Sequence, residues 1–157
     1  MRRGKPDKRR MPQEPHLIAW AASNAFTLVL IVLCWKLPKG GRAVIGLGFV
    51  AAAVFNAVNV LSNPQSYVQG FGPQALFPFY ENFIYGPLAK NPALFILPIA
   101  AGQLAVGLLM FFRGWRFKLG LAGGIVFLLA ITPLGQGSAF PMPLLGVVAF
   151  WVLWHKS

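Results

Sequence analysis

Few side chains in this sequence can move a proton or grip a polar group in apolar surroundings. Glu81, in the run Tyr80-Glu81-Asn82, is the one acid outside the first fifteen residues; the other two are Asp7 and Glu14. A carboxylate in an apolar setting is costly unless it is paired or protonated. Glu81 is therefore the candidate proton donor or acceptor. The alternative is a solvated residue at an interface, paired with Lys90. Asn56, Asn59 and Asn63 recur at spacings of three and four, which places them on one stripe of a helix. A buried amide needs partners. For Asn56 these are Gln103, in a later apolar run, or Asn24. Such a pair serves either as polar glue between helices or as the wall of a ligand cavity. The candidate ligand-binding set is Asn56, Asn59, Tyr80, Glu81, Asn82 and Gln103.

Other chemistries lack their residues. The single cysteine, Cys34, permits no disulfide within the chain and no cysteine-based metal site. The two histidines, His16 and His155, lie near opposite ends of the chain, so no apolar run carries a haem or metal ligand. Pro133-Leu134-Gly135-Gln136-Gly137-Ser138 has glycines but no following Lys-Ser/Thr, and reads as a turn rather than a phosphate cradle. No metal site is expected.

The elements that must position these residues follow from composition. In 157 residues, 57% are apolar and 11% charged, against roughly 45–50% and about 25% in soluble domains. A globule this small needs a polar shell, and this chain cannot supply one. It is also too apolar for disorder. The expected fold is an all-α polytopic membrane helix bundle, with four core transmembrane helices and an additional N-terminal hydrophobic helix.

Residues 1–15 are basic and contain three prolines, and read as a mobile tail. Apolar helices are expected at about 17–37, 43–62, 92–112, 118–134 and 140–154, the last of them short for a bilayer of about 30 Å. The stretch 63–91 is rich in aromatics and broken by four prolines, which suits a segment lying at the membrane–water interface. The first apolar run is too long for a secretory signal and lacks a small-residue cleavage site, so it is read as retained. Small residues spaced by four, at Gly48/Ala52, Ala101/Ala105 and Gly120/Gly124, are expected to let helices approach closely within one bundle. Trp35, Trp115, Trp151 and Trp154 read as an aromatic belt.

The net charge is +11. Its clustering between apolar runs suits membrane topology rather than nucleic acid. Arg2, Arg3, Lys5, Lys8, Arg9 and Arg10 are expected to touch anionic lipid headgroups. Counted over the last four helices, Lys36, Lys39, Arg42, Arg113, Arg116, Lys118 and Lys156 share one side, and Lys90 stands alone on the other. That makes the first side cytoplasmic. If the first helix also crosses, the six tail residues join Lys90 and the count becomes even. Its length favours crossing, and its flanking charge favours a re-entrant or tilted helix.

Several punctuating motifs lie between residues 43 and 154: Asn63-Pro64 followed by Tyr67, Leu76-Phe77-Pro78-Phe79-Tyr80-Glu81, Asn91-Pro92, Arg113-Gly114, Thr132-Pro133-Leu134-Gly135 and Phe140-Pro141. In these the chain resembles the DoxX-like families of small bacterial membrane proteins. The resemblance implies a four-helix membrane bundle in a bacterial cytoplasmic membrane. Some of its members are subunits of quinone-linked oxidoreductases. It carries no catalytic motif onto numbered positions here.

The reading placed first is a non-enzymatic subunit or scaffold that packs against a membrane protein partner and binds no cofactor. The alternative is a membrane-embedded site for a quinone or an isoprenoid, with Asn56 and Gln103 orienting the ligand and Glu81 handling a proton. A small transporter is the third reading, weakened by the scarcity of interior charge and the lack of inverted repeats.

Overall fold

The computed structural model describes residues 14–156; the expected basic tail, including Arg2, Arg3, Lys5, Lys8, Arg9 and Arg10, lies outside the described residues. Seven α-helices account for most of that span: α1 Glu14–Lys36, α2 Pro38–Ser62, α3 Gln65–Phe71, α4 Pro78–Phe83, α5 Pro92–Leu109, α6 Trp115–Ile131 and α7 Met142–His155. A wide helical turn over Ile84–Leu88 accommodates Pro87, which has no N–H to donate. Tight helical turns over Gly72–Gln74 and Thr132–Ser138 complete the chain.

Four helical stretches are long and apolar enough to cross a membrane: Leu17–Lys36, Pro38–Ser62, Pro92–Leu109 and Trp115–Ser138. α7 is shorter and equally apolar. Its 14 residues cover about 21 Å at 1.5 Å per residue, and the Thr132–Ser138 turns pack against it at its start. The outer surface is apolar on every long helix: Ile18 is 71% exposed, Trp115 70%, Val126 67% and Phe55 66%. Water would penalise such side chains by about 1.5–3 kcal/mol each, and lipid does not.

The five long helices form a closed ring. The main contacts run in the order α1, α2, α5, α6, α7 and back to α1, and α2 also touches α7 across the ring. Sequence neighbours run antiparallel, and because five is odd, α1 and α7 run side by side in the same direction. This seam is tied at both ends. The Trp20 indole donates to the Phe140 carbonyl at 2.6 Å and the Asn24 amide to the Ala139 carbonyl at 3.1 Å. At the far end the Lys156 ammonium donates to the Trp35 carbonyl. α1 is one unbroken helix running the height of the ring.

We call the end holding the α1–α2 and α5–α6 turns the hairpin end, and the other the lid end. Lys36, Lys39, Arg42, Arg113, Arg116, Lys118 and Lys156 all lie at the hairpin end. So do Trp35, Trp115, Trp151 and Trp154, which makes the tryptophan belt one-sided. α3, α4 and the turns between them lie across the lid end and pack on the Thr132–Ser138 turns.

Helix boundaries depart from expectation where glycine was read as a break. α2 begins at Pro38 rather than near 43. Proline suits the first helical position, and Gly41 sits inside the helix because a Cβ there would meet Cys34 Sγ at 2.6 Å. α6 begins at Trp115 rather than 118, straight after Gly114, whose φ of 63° ends the α5–α6 turn. Arg42 secures that turn from α2. Its guanidinium donates to the Met110 carbonyl at 2.8 and 3.1 Å and to the Phe112 carbonyl, and it lies 3.8 Å over the Phe117 ring. It thereby satisfies carbonyls that the end of α5 leaves free.

Glycine sets the closest seam. A Cβ at Gly107 would stand 2.8 Å from the Gly46 carbonyl oxygen and 2.9 Å from the Val50 nitrogen. Gly120 and Gly124 also work as packing sites, but against different neighbours: Leu109 and Met110 of α5 for the first, Phe150 of α7 for the second. The other two small-residue pairs do not pack. A Cβ at Gly48 meets nothing within 4 Å, and Ala101 and Ala105 are exposed.

Gly107→Leu is therefore expected to cost about 1–3 kcal/mol or more. Gly102→Leu, on the same helix with open space around it, is expected to leave stability unchanged. Thermal unfolding of the two variants in one detergent checks this: equal midpoints would contradict the packing of α2 on α5.

Candidate functional site

The buried side chains divide into two groups. One, at the hairpin end, contains Cys34, Ile45, Met110, Phe117, Leu121, Phe150 and Leu153. The other, under the lid, contains Val60, Tyr67, Val68, Ile84, Leu88 and Ile96. Between them lies a cavity of about 860 Å³, walled by all five long helices and roofed by α3, α4 and the turn after it. Its floor is a trio of rings: Phe49 stands edge-on to Phe127 and to Phe150, with centroids 5.6 and 5.7 Å apart. A ring of five helices encloses more space than these side chains fill.

The wall is mostly apolar; Ser23, Thr27, Tyr80 and Ser138 bond backbone carbonyls, and one chain of side-chain hydrogen bonds crosses it. Tyr67 reaches from the lid and donates its hydroxyl to Asn56 Oδ1 at 2.9 Å, with the Asn56 carbonyl 3.2 Å away. In this arrangement Asn56 Oδ1 is the acceptor. The Asn56 amide nitrogen then donates to Gln103 Oε1 at 2.8 Å. The polarity of the chain leaves Gln103 Nε2 without a partner in the protein, on a residue only 5% exposed that lines the cavity. Gly107 packs on Gly46 and Val50 one turn below, so Gln103 stands near the middle of the bundle's height. The buried side-chain polar atom without a partner among the described residues is Asn24 Oδ1; Gln103 Nε2 is open to the cavity, where an acceptor would pair with it.

Among the sequence candidates, Asn56, Tyr80 and Gln103 meet at this cavity. Tyr80 lines it near the lid and donates its hydroxyl to the Ala130 carbonyl at 2.9 Å. Three candidates need correcting. Glu81 and Asn82 are exposed and do not line the cavity. α4 turns Tyr80 and Phe83 inward, three residues apart, which leaves Glu81 and Asn82 on its outer side. Asn59 gives its amide to the Ser66 hydroxyl at 3.0 Å and ties α2 to α3. Asn24, the alternative partner for Asn56, bonds Ala139 in the α1–α7 seam instead.

Sequence reasoning missed Tyr67. It stands four residues after the Asn63 that ends the stripe, in a stretch read as interfacial aromatics, and nothing local marks its hydroxyl as inward-facing. It also missed the gap in the wall between α1 and α2. These helices touch closely where Gly41 meets Cys34. Towards the lid, Gly48 of α2 and Ala22 and Phe26 of α1 line the cavity and are exposed. Comparison of the chain with protein-family models, curated proteins and solved structures finds no match in any of the three.

Removing the hydroxyl in Tyr67→Phe is expected to cost about 0.6–2 kcal/mol, as interhelical hydrogen bonds do in membranes. A double-mutant cycle of Tyr67→Phe with Asn56→Leu, read by thermal or denaturant unfolding, should give a coupling of that size. Strict additivity would mean that the two residues do not share a hydrogen bond.

Proposed function

We propose that this chain is an integral protein of a bacterial cytoplasmic membrane and holds a lipophilic molecule of the quinone or isoprenoid class inside its ring of helices. The observation that carries this reading is the apolar cavity with one unspent hydrogen-bond donor, Gln103 Nε2, near its middle. Its volume falls in the range of roughly 300–1,000 Å³ usual for small-molecule sites, and its apolar wall with a few placed polar groups follows the same pattern. Quinones and isoprenoid alcohols offer a large apolar body and an oxygen that accepts a hydrogen bond. The resemblance to DoxX-like proteins, some of them partners in quinone chemistry, points to the same class.

We place the scaffold reading second, because the cavity offers a ligand site while the apolar outer surface is the same on every long helix. A proton-handling role for Glu81 loses support because the residue lies outside the cavity. With α1 crossing, the six basic residues of the tail count beside Lys90 and the two sides are even, so we take the charge clustered at the two hairpins as what sets the hairpin end in the cytoplasm. In a Cys34→Ala background, Gln136→Cys is then expected to react with a membrane-impermeant maleimide in intact cells and Arg113→Cys is not. The reverse pattern would invert the orientation.

Native mass spectrometry of the protein in mild detergent tests the ligand. The parent chain is expected to retain a lipophilic compound, and Gly48→Trp to lose it while remaining folded. A Cβ at Gly48 meets nothing within 4 Å, and the indole is expected to occupy space in the cavity that Gly48 lines. Glu81→Gln is expected to retain the compound as the parent does. An empty parent chain, or undiminished retention by Gly48→Trp, would overturn the proposal.

A further inference from the structure

Beyond the lid-end wall of the main cavity lies a second compartment of about 440 Å³. The two share Ser23, Ser138 and Met142, so they adjoin across these side chains. Their chemistry differs. The second compartment adds the side-chain amides of Gln74 and Gln136, and neither makes a hydrogen bond within the protein. Ser23 and Ser138 donate their hydroxyls to the carbonyls of Ala19 and Gly135, which leaves both oxygens able to accept. Trp20 forms part of the wall and spends its N–H on Phe140. Among the described residues, no lysine, arginine, histidine or carboxylate lines either compartment.

The backbone builds this compartment closely. A Cβ at Gly135, where φ is 64°, would stand 2.2 Å from the Gln74 carbonyl oxygen, and the Leu76 N–H donates to the Pro133 carbonyl at 2.9 Å. Only glycine allows the Thr132–Ser138 turns to lie this close to the Gly72–Gln74 turn. That contact is what brings Gln74 and Gln136 to one pocket.

We infer that the two compartments form one site for an amphiphile, with its chain in the main cavity and an uncharged, hydrogen-bonding head between Gln74 and Gln136 at the lid end. The inference rests on the reading that the ring holds a lipophilic molecule, and narrows its class. Two primary amides and two hydroxyls offer donors and acceptors to a hydroxyl or carbonyl oxygen. They offer no counter-charge to an anionic head, in a compartment where Gln136 is exposed and Gln74 half-buried. A free quinone or an isoprenoid alcohol fits this description, and the phosphate ester of the same alcohol does not. From Val44 to Asn56, the wall formed by α2 rises about 18 Å at 1.5 Å per residue, so the chain lies along the helices.

The test uses the whole protein in phosphatidylcholine nanodiscs, which avoids sugar-headed detergents that would compete for the head site. 1-Oleoylglycerol and 1-oleoylglycerol 3-phosphate, which share an acyl chain, are added in equal amounts, and native mass spectrometry reads which remains bound. The neutral probe is expected to exceed the anionic one by about tenfold or more. A Gln74→Leu/Gln136→Leu double variant should abolish that preference while still binding the chain. Gly48→Trp should lose both probes.

Preference for the anionic probe would overturn the inference and move head recognition to the basic segment 2–10. A neutral preference unchanged in the double variant would overturn the assignment to the glutamines. Binding without preference in the parent protein would remove the head site and leave the cavity reading intact. If the parent protein retains neither probe, the inference falls together with the reading beneath it.

Discussion

The seam between the first and last helices is the contact on which the rest depends. α2, α5, α6 and α7 follow one another as antiparallel neighbours. By themselves four such helices would collapse onto a shared core. α1 enters beside α2 and α7, which touch each other over part of their length, packs on α2 at the hairpin and on α7 along the seam, and adds a fifth wall. The seam is polar at its ends, where Trp20, Asn24 and Lys156 each donate to a backbone carbonyl of the opposite segment. These bonds join the two helices at both ends and set which helix α1 meets and at what height.

A ring of five helices has a consequence that a smaller bundle avoids. Side chains from opposite walls meet over only part of its height, as where Phe49 reaches Phe127 and Phe150. The chain fills the hairpin end with Met110, Phe117, Leu121 and Leu153 and the lid end with Val60, Tyr67, Ile84 and Leu88. The middle stays open. Close glycine contacts hold α2 against α5, and α6 against α5 and α7, so the wall on that side is rigid. Between α1 and α2 there is no such contact above Gly41, and the wall there faces the lipid. The open middle, the hydrogen-bond chain that ends in it and the gap towards the bilayer all follow from the closure of the ring.

The sequence made some of this legible. Apolar run lengths gave five helices, because only helices satisfy the backbone in lipid. A polar residue in mid-span is conspicuous, and Asn56 does meet Gln103. What stayed hidden depends on long-range packing. Gly40-Gly41 has the composition of a turn and serves as a contact surface for Cys34. Gly48 and Ala52 have the spacing of a packing motif, but α1 leans towards α7 and leaves them uncovered. Glu81 drew attention as the sole nearby carboxylate. Which way it faces is set by how α4 lies across the lid, and four prolines in 63–91 leave many such paths open. The resemblance to DoxX-like families described four helices. The fifth wall comes from α1, which lies outside the part of the chain that carries the resemblance.

The most direct measurement is an experimental density map of the full chain in a lipid nanodisc. The account expects the five helices around an elongated density that is neither side chain nor backbone. That density should run from the Gln74–Gln136 compartment past Gln103 towards Phe49, Phe127 and Phe150. A map in which α1 has closed against Gly48 and Ala52, with side chains filling the space between the two clusters, would contradict it.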